Sequence, residues 1–198
     1  MNVGLVTSSI VGGILLLSII SYNVFIQEKG SESTLTSVVK TQADDIGQLL
    51  SSDLTRIGYL NSNGVNFTGM DQQNLIIHGD FIDNDGVGVS TVQWQWSTSI
   101  GNQVTSTNPN DFYLTRTGPN GSNPNATMTF PVSHFQVRYY QGTSSLDSAI
   151  MVSNITSVEV EFIVESEEPY GTNASGDNLY ARSFWKRRLF LTNILEYQ

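Results

Sequence analysis

The chain begins with an uncharged and strongly apolar segment, and this feature constrains the fold more than any other. No Asp, Glu, Lys or Arg occurs between Met1 and Gln27, and residues 11–20 read Val-Gly-Gly-Ile-Leu-Leu-Leu-Ser-Ile-Ile. A helix needs roughly 20 apolar residues to cross the hydrocarbon core of a bilayer. The apolar run from Val3 to Ile26 meets that length, so residues 1–27 are predicted to form a transmembrane helix.

A cleaved signal peptide is the alternative interpretation of this segment. Signal peptides have a basic start, an apolar region of roughly 7–15 residues and a small-residue cleavage site. This segment has no Lys or Arg, a longer apolar run and no Ala-x-Ala-like site, so a retained anchor is expected. Counting Lys29 and Lys40 slightly favours a cytoplasmic C-terminus. The Thr-, Asn- and Gly-rich remainder favours the opposite orientation, which we expect: a single-pass protein of the cytoplasmic membrane with its C-terminal domain outside.

The second predicted element is an amphipathic continuation of the helix over residues 28–60. Apolar residues recur there at spacings of three or four, which places them on one helical face. This face is expected to pack on the following sheet through Leu35, Val39, Ile46, Leu50, Leu54 and Ile57. Gly30–Ser33 is the predicted break or bend, because it combines glycine with serines.

From residue 61 to residue 198 the pattern changes to the two-residue period of β-strands. The predicted strands are Asn74–Phe81, Thr91–Ser97, Asp111–Arg116, Phe135–Tyr140, Ile155–Glu165 and Arg182–Ile194. Ser99–Asn110 and Thr117–Ala126 are predicted loops. The expected fold class is α+β, with a long N-terminal helix packed on an extracytoplasmic, antiparallel β-sheet domain.

A cluster of basic residues near the C-terminus has two interpretations. Arg182, Lys186, Arg187 and Arg188 lie in the last predicted strand, and alternating acids including Glu159, Glu161 and Glu165 lie in the strand before it. Antiparallel pairing would set acids opposite bases, and each such pair stabilises a sheet by roughly 0.2–1 kcal/mol. We prefer this interpretation to an anion-binding site.

Several local sequences resemble type IV pilin-like proteins, especially minor pilins and the J-type minor pseudopilins of type II secretion systems. The segment Gln48–Tyr59 (Gln-Leu-Leu-Ser-Ser-Asp-Leu-Thr-Arg-Ile-Gly-Tyr) is similar to the end of their long helix. Phe135–Gly142, Ile155–Glu161 and Arg187–Asn193 are similar to their strands. The resemblance implies a structural subunit that assembles with identical or related subunits through its N-terminal helix.

The N-terminus departs from the pattern of that family. Its processing site has a basic leader, then a glycine, a hydrophobic residue and a glutamate at the fifth mature position. Here Gly4 precedes Leu5, no basic leader is present, and Ser9 stands where the glutamate would be. Whether Met1 is retained or the chain starts at Leu5 is left open. Gly12 and Gly13 are small enough to let helices approach closely in a membrane.

The chemical sites give little support to catalysis. The chain lacks cysteine, and the net charge of −9 argues against nucleic-acid binding. Asp80, Asp83 and Asp85 are a calcium candidate, although an Asp-Gly hairpin turn explains the same residues. His78 and His134 have no hydrolase or zinc motif around them. We therefore expect no enzyme activity and no cofactor.

Two functions follow from these observations. The first is a structural subunit of a type IV pilus-like filament or secretion pseudopilus. The second is a membrane-tethered domain that works as a monomer, such as an adhesin or a component of an envelope complex. Lateral contacts of the N-terminal helix distinguish the two.

Overall fold

The computed structural model describes residues 3–58, 67–68, 71–81, 90–121, 123–146 and 155–191, and shows one long helix followed by antiparallel sheets. Helix α1 spans Val3–Thr55. The strands are β1 (Asn74–Gly79), β2 (Ser90–Trp96), β3 (Phe112–Asn120), β4 (Asn123–Val132), β5 (His134–Gln141), β6 (Ser144–Leu146), β7 (Ser157–Glu165), β8 (Gly171–Thr172), β9 (Asn178–Leu179) and β10 (Arg182–Phe190). The fold is therefore α+β, as the sequence predicts.

Helix α1 is continuous through Gly30–Ser33, where the sequence pattern predicts a break or bend, so no break occurs there. The hydroxyl groups of Thr34 and Ser37 donate to the carbonyl oxygens of Gly30 and Ser33, each at 3.0 Å. These polar side chains are thus accommodated by bonds to the preceding turn of the same helix. The helix ends at Thr55, short of the predicted residue 60.

The end of α1 is set by a turn that joins the chain to the first strand. Gly58 has φ 76°, a left-handed conformation that favours glycine, and its N–H donates to the His78 carbonyl at 3.1 Å. Ile57 forms an isolated antiparallel bridge with Gly79 at the end of β1. These contacts end the helix by turning the backbone towards the sheet.

The first sheet has the order β1-β2-β3-β4, with all neighbours antiparallel. Successive side chains along its strands point alternately towards the core and away from it, as expected for a half-buried sheet. Leu75, Trp94 and Arg116 occupy one row of that inward face, because they are register partners.

The second sheet has the order β10-β7-β5-β6 and receives most of the contacts of α1, through β10 and β7. Val158, Val160, Phe162 and Val164 of β7 are buried on the face towards the helix. One hydrophobic cluster combines residues of α1 and of both sheets. The amphipathic half of the helix is therefore part of the domain's core.

One predicted loop belongs instead to the first sheet. Most of Thr117–Ala126 lies in β3 and β4, which are joined by a tight turn that includes Gly121 (φ 56°). The glycine, proline and asparagine residues of this stretch favour turns, but cross-strand pairing outweighs that local preference. The only regular element in the predicted loop Ser99–Asn110 is a short 3-10 turn at Ile100–Asn102.

Candidate functional site

The membrane half of α1 exposes apolar side chains on all sides. Its most apolar stretch is entirely exposed in the isolated chain, and α1 is long and apolar enough to cross a membrane. The exposed large residues are Val6, Ile10, Val11, Ile14, Leu15, Leu16, Leu17, Ile19, Ile20, Tyr22, Val24, Phe25 and Ile26. Such a surface needs lipid or other helices around it. The chain thus carries a candidate single-pass anchor at its N-terminus.

The predicted assembly residues all lie within this exposed half. Gly4, Ser9, Gly12 and Gly13 are exposed, and Leu5 belongs to the same helix. A Cβ atom added at Gly12 or Gly13 would meet no described atom within 4 Å. Ser9 and Gly13 are four residues apart and therefore share a helical face. This face is open to a neighbouring helix.

The predicted packing residues occupy the other half of α1 and face the sheets. Val39, Ile46, Leu50, Leu54 and Ile57 are buried in the hydrophobic core, and Leu35 is partly buried against it. Near residue 35 the helix therefore changes from an exposed apolar segment, which we call the rod, to an element of the hydrophobic core. This change fixes the helix to the β-rich domain.

A buried ion pair attaches α1 to the first sheet. Asp53 is only 4% exposed, and its carboxylate accepts two hydrogen bonds from Arg116, one from Nε and one from Nη2, both at 2.8 Å. Trp94 Nε1 donates to the same carboxylate at 2.8 Å. Arg116 also donates to the Pro119 carbonyl at 3.1 Å. Both charges are thus paired and hydrogen-bonded, which their burial requires.

Neither Asp53 nor Arg116 is among the residues that the sequence predicts to pack α1 on the sheet. A signal was present, because Asp53 is three residues after Leu50 and four before Ile57, both on the apolar face. Likewise Arg116 shares the inward face of β3 with Leu114, two residues away. A charge on an apolar face indicates a buried partner.

A close contact attaches α1 to the second sheet. Gly47 faces the indole of Trp185 on β10, and a Cβ atom added at Gly47 would overlap that ring. The indole is stacked on Phe162, with centroids 5.1 Å apart and an interplanar angle of 19°. Gly47 therefore lets the helix approach a fixed aromatic pair.

Two of the four basic residues that the sequence sets opposite the β7 acids, Lys186 and Arg182, form ion pairs with them. Register pairs Glu161 with Lys186 and Glu159 with Arg188. Lys186 Nζ lies 2.9 Å from Glu159 and 3.0 Å from Glu161, and Arg138 of β5 contacts both carboxylates. Hydrogen bonding from Arg138, then Lys186, holds the pKa of Glu161 below its usual value. Arg187 belongs to the opposite face of β10, because its partner is Val160.

Two further carboxylates, Glu165 and Asp111, are buried. Glu165 accepts hydrogen bonds from Asn108 at 3.0 Å and Asn110 at 3.2 Å, and it pairs with Arg182 at 2.8 Å. Asp111 is 1% exposed, and its Oδ1 has no hydrogen-bond partner within the described ranges. Burial and the neighbouring Glu165 charge raise the pKa of Asp111 from 3.8 to about 6.

This raised pKa predicts a pH-dependent stability. The folded state binds a proton at Asp111 more tightly than the unfolded state, so stability should rise as pH falls from 7 to 4.5. Asp111→Asn should stabilise the domain at pH 7.5 by up to about 3 kcal/mol and flatten this part of the profile. Thermal melts across pH test it, with the exposed Asp44→Asn as the control. An unchanged slope in Asp111→Asn would contradict the prediction.

The calcium candidate is only partly described. Asp80 follows β1, whereas Asp83 and Asp85 lie outside the described residues. Within the described residues, no group of three or more His, Asp or Glu side chains is arranged to hold a metal ion. The two histidines are separate from each other: His78 contacts Thr91 at 3.0 Å, and His134 lies against Trp96.

Comparison with known proteins adds no relative to these observations. No family model, no curated protein and no solved structure matches the chain. The functional argument therefore depends on the residues and contacts of this chain.

Proposed function

We propose that this chain is a structural subunit of a type IV pilus-like filament or secretion pseudopilus, assembling through its N-terminal helix. The observation that carries the proposal is the division of α1. The first half is an exposed apolar rod, and the second half is buried lengthwise in the core of an antiparallel β-domain. This is the layout that the resemblance to minor pilins and J-type minor pseudopilins implies.

The physical logic of assembly follows from that division. A subunit stored in a membrane has its apolar rod covered by lipid, and a filament can replace lipid with neighbouring rods. The domain keeps a fixed orientation on the rod, because Asp53 and Gly47 hold the helix to one sheet each. No catalytic step is needed, and the proposed orientation puts the β-domain outside the cytoplasmic membrane.

The contact between neighbouring subunits near Ser9 must differ from the one in the pilin-like family. Ser9 replaces the glutamate of the family pattern, so a charge pair between neighbouring subunits is not available at this position. Close packing of Gly12 and Gly13 against a neighbouring helix is the substitute that we propose. It depends on van der Waals contact, which small residues favour in lipid.

The test is a pair of bulky substitutions on the rod. We expect Gly12→Leu together with Gly13→Leu to reduce co-purification of identical or related subunits by about tenfold or more, the loss expected from about 1.4 kcal/mol of helix contact. Cross-linking in native membranes followed by affinity purification measures this. Ser18→Leu is the matched control, because Ser18 is exposed on the same helix and its hydroxyl donates to the Ile14 carbonyl of the preceding turn.

A monomeric tethered binding domain is the competing function. An open cleft in the domain, lined by the segment between β2 and β3 and the segment between β7 and β10, favours it. Under that function the Gly12 and Gly13 substitutions leave every interaction of the domain unchanged. Undiminished co-purification in the double variant would therefore reject assembly through this part of the helix.

A further inference from the structure

Strand β10 is an edge strand of the second sheet and spans nine residues. Among the described strands it pairs with β7 alone, and its register runs without a shift from Arg182 to Phe190. A long, regular edge strand presents a row of backbone donors and acceptors on which a further strand can pair. The outer side of β10 is therefore a candidate docking edge.

The hydrogen bonds to β7 show which backbone groups of β10 face this outer edge. The Leu191 N–H donates to the Thr156 carbonyl at 3.1 Å. The Ala181 carbonyl accepts from the Ser166 N–H at 2.9 Å. Hydrogen-bonded and non-hydrogen-bonded positions alternate in an antiparallel pair. The even-numbered residues between Ala181 and Leu191 therefore direct their N–H and C=O groups outward, and these are Arg182, Phe184, Lys186, Arg188 and Phe190.

The edge lacks the features that usually prevent pairing with another strand. Natural edge strands are protected by proline, by bulges or by charged side chains. Strand β10 has no proline and no shift of register, and two of its charges are already used within its own sheet. Lys186 pairs with Glu159 and Glu161. Arg188 donates to Ser157 Oγ at 2.9 Å. The backbone of the edge is therefore left open to a partner.

Arg187 offers a charge that no described residue neutralises. It is exposed, and it lines an open groove of about 350 Å³ between α1 and β10. Its guanidinium forms no hydrogen bond or ion pair with any described side chain, including Asp44 of the same groove. A free guanidinium binds a carboxylate through two parallel hydrogen bonds. The groove beside the edge therefore suits an acidic side chain.

The face of β10 turned away from α1 adds two exposed aromatic side chains. Phe184 is 60% exposed and Phe190 is 69% exposed. Each is three residues from Arg187, so their side chains point to the opposite face. On an antiparallel partner, the residue opposite Arg187 would face the groove, and the residues three positions away on either side would face the two phenylalanines. The matching partner is an extended segment with the pattern apolar-x-x-acid-x-x-apolar.

A second copy of this chain does not supply such a segment from its described edges. Symmetric pairing of two β10 strands centred on Lys186 or Arg187 would set like charges opposite each other, which destabilises a sheet. The other described edge strands, β1, β4 and β6, contain no Asp or Glu. The charge of β10 thus favours a partner with a different sequence.

We propose that the outer edge of β10 binds an extended acidic segment of a different protein as an additional antiparallel strand. The backbone of β10 would supply the hydrogen bonds, Arg187 would pair with the acid, and the two phenylalanines would contact the apolar residues. The inference goes beyond the proposed function and does not rest on it, because the contacts belong to the β-domain and the buried half of α1. The domain would thereby gain an interaction surface that is separate from the rod.

The test uses the full chain in detergent micelles and a fluorescein-labelled peptide, Ser-Val-Thr-Thr-Glu-Thr-Thr-Val-Ser, with binding followed by fluorescence anisotropy. We expect saturable binding that becomes about tenfold weaker when glutamine replaces the glutamate of the peptide. Arg187→Gln should weaken binding of the glutamate peptide by the same factor and leave binding of the glutamine peptide unchanged. Lys40→Gln is the matched control, because it removes an exposed positive charge outside β10 and the groove.

N-methylated peptides test the backbone pairing on the unchanged protein, so a folding defect cannot affect the result. The two threonines next to the glutamate would direct their N–H groups towards β10, whereas the N–H of the glutamate would point away. N-methylation of either threonine should therefore weaken binding by about tenfold or more. N-methylation of the glutamate should leave binding unchanged.

Four outcomes would overturn the inference. They are a lack of saturable binding, equal affinity for the glutamate and glutamine peptides, an equal effect of N-methylation at all three positions, and self-association of the chain that the peptide displaces. The last outcome would assign the edge to a second copy. The variant with Gly12→Leu and Gly13→Leu should bind the peptide normally, so failed assembly and failed peptide binding are separate results.

Discussion

Asp53→Ala should destabilise the β-domain by about 3–5 kcal/mol, because it leaves the Arg116 guanidinium buried without its counter-charge. Arg116 is 3% exposed, so water cannot replace the lost carboxylate without opening the core. Trp94 Nε1 loses its acceptor in the same step, which adds a further desolvation cost. For a domain of this size, the expected fall in Tm is about 10 °C.

Thermal melting of the full chain in detergent, followed by near-ultraviolet circular dichroism, measures this effect. Asp45→Ala is the matched control, because Asp45 is an exposed carboxylate of the same helix. A double variant, Asp53→Leu with Arg116→Met, should recover most of the loss, since apolar residues of similar volume replace buried ion pairs with little cost. Trp94 would still lack an acceptor, so full recovery is not expected. A fall in Tm no larger than that of Asp45→Ala would contradict the role of this pair.

The same pair shows how far the sequence predicts the structure. The spacing of Leu50, Leu54 and Ile57 predicts the buried face of α1, because the helical period alone determines which side chains share a face. It does not predict which charged residue finds a partner, since Arg116 is far away in sequence and the folded sheet places it beside Asp53.

The strands show the same division between local and distant information. Alternation predicts β7 and the pairing of its acids with the bases of β10, because the charges occur at matching two-residue spacing. It does not predict that β3 and β4 continue through Gly118 and Pro124. Those residues disfavour strands locally, and only pairing across the tight turn at Gly121 extends both strands.

The candidate site divides in the same way. The exposed rod of α1 follows from composition alone, as an uncharged apolar run needs no partner within the chain. The cleft that contains Tyr170 and Arg182 could not be predicted, because its two walls come from segments separated by several strands. The raised pKa of Asp111 is likewise a product of tertiary structure, because it is caused by burial and by the charge of Glu165.

Gly47→Leu should destabilise the domain by about 3 kcal/mol or more. Even a single added carbon at this position would overlap the Trp185 indole, and a leucine would push the ring off Phe162 and open the core. Gly30→Leu is the matched control on the same helix. No described atom lies within 4 Å of a Cβ atom built at Gly30, so this change should stabilise the helix by roughly 0.5–1 kcal/mol. The two glycine-to-leucine substitutions should therefore change the free energy of unfolding in opposite directions.

A second substitution separates steric overlap from a change in helix propensity. In the Gly47→Leu background, Trp185→Ala should recover part of the lost stability, with a coupling energy of about 1–3 kcal/mol, because the leucine then fills space that the indole leaves. Urea unfolding of the unsubstituted chain, the two single variants and the double variant gives that coupling energy. Simple additivity would show that Gly47 acts through the helix alone. Coupling would show that Gly47 acts through the contact between α1 and Trp185 of β10. In that case Gly47→Leu should also impair subunit assembly while leaving membrane insertion intact, because the anchor lies in the other half of the helix.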